Sequence, residues 1–74
     1  LGKLLRISGK QVCNILSKNG FQEIRQKGSH IIMQKKYNDT TITIPVPNHS
    51  DLKIGTLQSI IRQSGLSKSL FLTQ

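Results

Sequence analysis

Apolar positions recur along this chain at two different periods. After Ser8-Gly9-Lys10-Gln11, the residues Val12, Ile15 and Leu16 fall on one face of a helix, with Cys13 at its edge. Ser8 and Gln11 have the spacing of a capping box, in which each side chain satisfies a backbone N–H left open at the helix start. Asn19-Gly20 supplies the stop, because glycine accepts the left-handed cap conformation. The period then shortens. Residues 21–26 read as a short strand, Gly28-Ser29 as a turn and residues 30–36 as a second strand. The alternation there is imperfect: with Ile31 and Met33 inward, Ile32 shares the outer face with His30 and Gln34. Asn38-Asp39 is a turn pair, and residues 41–46 alternate well, with Ile42, Ile44 and Val46 on one face. Pro45 has no N–H to donate, so this strand should end there or lie at a sheet edge.

Beyond a loop at residues 47–51, Ile54, Leu57, Ile60 and Ile61 mark a second amphipathic helix, closed by Ser64-Gly65. Gly55 weakens a helix interior and therefore belongs in its first turn or permits close packing. Ser67 is placed to cap a last short turn carrying Leu70, Phe71 and Leu72. The order is helix, three antiparallel strands, helix. Each helix has one apolar stripe and the sheet has one good apolar face. Both helices laid across that face give a two-layer α+β sandwich, with the opposite face and the loops free for a ligand. The domain is expected to span residues 8–74, with residues 1–7, broken by Lys3 and Arg6, lying partly outside it.

Length narrows the function. A chain of 74 residues forms one domain and buries only about 60% of its unfolded surface, which leaves little volume for a deep small-molecule pocket. A shallow site suits a polymeric substrate better. Eleven Lys plus Arg against three acids give a net charge of +8, which favours a polyanion or an acidic protein partner. Only Phe21, Tyr37 and Phe71 are aromatic, so phosphate and sugar contacts should dominate over base stacking. Cys13 is alone and has no disulfide partner; it reads as a small buried hydrophobe. No apolar run approaches a membrane span, and the cytoplasm is the expected location.

Candidate chemistry concentrates in Arg25-Gln26-Lys27-Gly28-Ser29-His30, where cations, a flexible glycine, a hydroxyl and an imidazole meet at a strand entrance. Arg25 and Lys27 can hold phosphate oxygens, Gly28 lets the backbone approach closely, Ser29 adds a hydroxyl, and His30 can move protons near neutral pH. The remaining chemistry is sparse. Two His, one Cys and three scattered acids offer no metal-ligand pair, and no carboxylate pair, catalytic triad or P-loop is present, so neither metal nor cofactor is expected. His49 reads as a polar loop residue with at most a phosphate contact. Lys35 and Lys36, with Lys10 and Lys18, are individually solvated charges that together can flank an RNA groove.

Four blocks follow one known order: Gly20-Phe21; Arg25-Gln26-Lys27-Gly28-Ser29-His30; Thr43-Ile44-Pro45-Val46-Pro47; and Leu52-Lys53-Ile54-Gly55-Thr56-Leu57 continuing through Ile60-Ile61-Arg62-Gln63-Ser64-Gly65-Leu66-Ser67. The chain resembles, over about residues 8–67, the HicA family of mRNA interferase toxins from type II toxin–antitoxin systems. It departs from the family at Met33, where an aromatic is frequent, and in the turn at residues 37–40, which lacks the common glycine. The resemblance implies a fold like the double-stranded RNA-binding domain and ribosome-independent mRNA cleavage, with His30 of the Gly-Ser-His block as the catalytic residue; the lack of any metal-ligand pair in the sequence makes metal-independent cleavage the expectation. The resemblance also implies a HicB-type antitoxin covering the site. The residues alone leave a second reading open: a non-catalytic module gripping double-stranded RNA through the same basic surface.

Overall fold

The computed structural model describes residues 7–72. The elements are α1 (Gly9–Lys18), β1 (Gln22–Lys27), β2 (His30–Tyr37), β3 (Thr40–Pro47), α2 (Ile54–Ser64) and a 3-10 turn over Lys68–Phe71. The strands form one antiparallel sheet in the order β1-β2-β3. Helix α1 packs on all three strands and α2 on β3. The result is the α+β arrangement expected from the sequence, helix, three antiparallel strands, helix, as in the double-stranded RNA-binding domain. Of the expected N-terminal segment, residues 1–6 lie outside the described residues. Ile7 is a buried core residue, and its carbonyl accepts the Leu52 N–H at 3.0 Å.

Local chemistry sets the boundaries. At the start of α1 the Gln11 N–H donates to Ser8 Oγ at 3.1 Å, and the Ser8 N–H donates to Gln11 Oε1 at 2.9 Å, which completes the capping box. Gly20, at φ 97°, turns the chain out of the helix. Phe21 was expected to open the first strand, but its N–H donates to Leu16 O and its side chain enters the core. Strand β1 therefore begins one residue later. Leu16, Met33, Ile44, Leu57, Ile60 and Phe71 are fully buried between the layers.

Both sheet edges resist further pairing. On β1 the register slips between Glu23 and Arg25, leaving Ile24 as the extra residue of a bulge, exposed at 46%. On β3, Pro45 and Pro47 pair in register with Ile32 and His30. A proline cannot exchange two N–H bonds with a partner, so these are the non-hydrogen-bonded pairs of the ladder, and the donors missing from Pro45 and Pro47 blunt the outer edge. The strand thus runs through Pro45 because it lies at an edge.

Gly9 locks α1 onto the end of β3. A Cβ at Gly9 would lie 2.0 Å from the Pro47 carbonyl oxygen, a backbone atom rather than the end of a flexible side chain, so the helix or the strand end must shift to admit it. Gly9→Ala is expected to cost about 1–3 kcal/mol of stability through this overlap, despite alanine's better helix propensity. A urea melt with an unchanged midpoint would show that the helix start can shift freely.

Candidate functional site

The β1–β2 turn is two residues long. Lys27 and His30 pair across it, and Gly28 adopts φ 60°, a conformation that side chains rarely accept. The Ser29 carbonyl accepts the Asn48 N–H at 2.7 Å, while the Gly9 N–H donates to the His49 carbonyl at 2.9 Å. These bonds draw the β1–β2 turn, the β3–α2 loop and the start of α1 to one end of the molecule. Helix α2 also begins there, after Leu52. Neither helix has an acid in its first turn, so two positive helix ends add to the exposed Lys10, Lys27 and Lys53.

Register places the site residues on faces. Partners across an antiparallel ladder share a face, which gives in-register rows of Lys27, His30 and Pro47, and of Arg25, Ile32 and Pro45. Ile31, Met33, Ile44 and Val46 are buried beneath the helices, so these rows occupy the open face. His30 therefore stands directly beside Lys27, about 5.5 Å away between Cα atoms, with Arg25 on the diagonal at about 7–8 Å. All three side chains are exposed, as are Gly28 and Ser29. A phosphodiester laid on this corner meets an imidazole and two cations without entering a cavity.

The other two expected RNA contacts are not gathered here. Lys36 is on the same face as His30 but six residues along the strand, about 20 Å away. Lys35 points the opposite way. Its Nζ donates to the Asn19 carbonyl at 3.2 Å and sits 5.7 Å from the centre of the Phe21 ring, so it ties the end of α1 to the sheet. Period-two alternation from His30 already puts Lys35 in line with the buried Ile31 and Met33.

Cys13 is buried, and its thiol is pushed up to about 11, first by burial and then by the negative charge of Glu23. It remains protonated at neutral pH and is no nucleophile. Among the described residues no three His, Cys, Asp or Glu side chains come together in a way that could hold a metal ion. None of the described helices is long and apolar enough to cross a membrane.

The family model for the HicA toxin of bacterial toxin–antitoxin systems matches residues 9–66. The chain belongs to the HicA toxin family. The match runs from the glycine that locks α1 onto β3 to Leu66, just past the end of α2, and so includes the whole cationic corner around His30. No curated protein matches the chain significantly. As a HicA-family toxin it implies an antitoxin partner.

Proposed function

We propose that this protein is an endoribonuclease toxin that cuts mRNA without a metal, with His30 as the proton-transfer group, and that a HicB-type antitoxin holds it inactive in the cytoplasm. The observation that carries the reading is the exposed His30 beside Lys27 and diagonal to Arg25, on a shallow face of a HicA-family toxin. Without metal-bound hydroxide, the available nucleophile is the RNA's own 2′-hydroxyl. Its oxygen attacks the adjacent phosphorus as its proton passes to the imidazole, help that contributes about 10²–10⁴-fold. Arg25 and Lys27 stabilise the charge that grows on the phosphate oxygens. The Gly28-Ser29 backbone permits the close approach.

The same corner suits an acidic antitoxin. Ile24, Ile32 and Pro45 form a small apolar strip on the open face, with cations beside it. Such a surface combines charge steering with apolar burial.

The direct test is cleavage of a defined oligoribonucleotide in EDTA, compared with the same strand carrying one 2′-deoxy residue at the cut. Full activity in EDTA and a block at the deoxy position are expected. Loss in EDTA would refute the metal-free route, and cutting at the deoxy position would refute the 2′-hydroxyl nucleophile. Tight binding with no cleavage of any RNA would leave the non-catalytic double-stranded-RNA module as the function.

A further inference from the structure

The β3–α2 loop carries a second histidine, and its backbone is held on both sides of that residue. The Asn48 N–H donates to Ser29 O at 2.7 Å, and the His49 carbonyl accepts the Gly9 N–H at 2.9 Å. Ser29 directly precedes His30, so standard backbone dimensions keep the two histidine Cα atoms within about 10 Å of each other. Both side chains are exposed at the same end of the molecule. Two imidazoles carried this close can flank one phosphodiester, each within the roughly 3 Å hydrogen-bond reach of one oxygen. A loop residue with no task beyond solvation needs no such anchoring to both the catalytic turn and the start of α1.

Attack by a 2′-hydroxyl raises two proton problems, and one histidine solves only the first. The nucleophile must lose a proton, and the departing 5′-oxygen must gain one. We propose that His49 is the general acid that protonates the 5′-oxygen, an assignment that rests on the RNA-cleavage reading above. The 2′-O–H bond breaks with its proton passing to His30, and the freed electron pair forms the new O–P bond. The P–O5′ bond breaks with its pair on O5′, which takes the proton carried by the His49 imidazolium. The products are a 2′,3′-cyclic phosphate and a 5′-hydroxyl. The two histidines finish with their protonation states exchanged, and water resets them.

The leaving group provides the test. An oligoribonucleotide spanning a linkage that the parent protein cuts is made twice, once with the ordinary 5′-oxygen and once with a 5′-bridging sulfur. A thiolate departs without being protonated. His49→Ala is expected to be about 10²–10⁴-fold slower than the parent on the oxygen linkage and within a few-fold of it on the sulfur linkage. His30→Ala should be slow on both, since the base is still required. Equal loss on both linkages would mean that His49 only holds structure or grips phosphate. No loss on either would make it a bystander, and both of these outcomes overturn the proposal while leaving RNA cleavage itself intact. A parent protein for which no cleaved linkage can be found in any RNA would instead bring down the cleavage reading and this assignment with it.

Discussion

His30→Ala is expected to lower the rate of RNA cleavage by about 10²–10⁴-fold while leaving both the fold and the RNA affinity nearly unchanged. The separation follows from where His30 sits. Its side chain is exposed and lies outside the core cluster, so its loss should stay within about 0.5 kcal/mol of parent stability, the usual range for a surface substitution. In the proposed function Lys27, Arg25 and the two helix ends supply the electrostatic grip, and none of them is touched by the change. Single-turnover cleavage with saturating protein isolates the chemical step, a filter-binding titration reads affinity, and a urea melt checks the fold. Cleavage at the parent rate by folded His30→Ala protein would remove the imidazole from the chemistry. Equal losses in rate and affinity would reduce His30 to a phosphate contact. Charge reversal of Lys27 should weaken binding and slow the bound step together, because the same ammonium grips the phosphate and stabilises its growing charge.

The periodic signals were legible before any coordinates. The Ser8 and Gln11 box, the stop at Gly20 and the Gly28 and Asn38 turns each act over a few residues, so sequence alone locates them. The alternation in β3 and the stripe in α2 likewise follow from the side chains' own spacing. Tertiary decisions were less visible. Lys35 reads as a free cation beside Lys36, and although strict alternation puts it in line with Ile31 and Met33, its partners Asn19 and Phe21 come from a separate element that the strand pattern does not name. The Ile24 bulge depends on how β1 meets β2, and no local motif announces it. His49 reads as loop because the bonds that anchor its segment, Asn48 N–H to Ser29 O and Gly9 N–H to the His49 carbonyl, run through backbone groups, which no sequence pattern marks. The β1–β2 turn was legible for the opposite reason: its glycine, cations and imidazole lie within six consecutive residues.

The last turn of the chain is the less obvious structural commitment, and Phe71→Ala should expose it. The family match ends at Leu66, yet the fold does not. Ser67 caps the 3-10 turn by accepting the Ser69 N–H at 3.2 Å, and this turn delivers Phe71 into the core, where it is fully buried. Removing a buried phenyl ring typically costs about 3–5 kcal/mol, from lost burial and the cavity left behind. Domains are stable by only about 0.05–0.15 kcal/mol per residue, so a chain this short has a margin of the same size as the loss. Phe71→Ala is therefore expected to populate the unfolded state heavily at 37 °C, seen as a collapse of the far-UV CD melt. Phe71→Leu, which retains most of the apolar volume, should recover much of the loss. The exposed Leu70 beside it serves as the control, since Leu70→Ala should move the midpoint little. A Phe71→Ala loss below about 1 kcal/mol would mean that the ring leaves the core at little cost, and that the domain closes on Ile7, α1, the sheet and α2 alone.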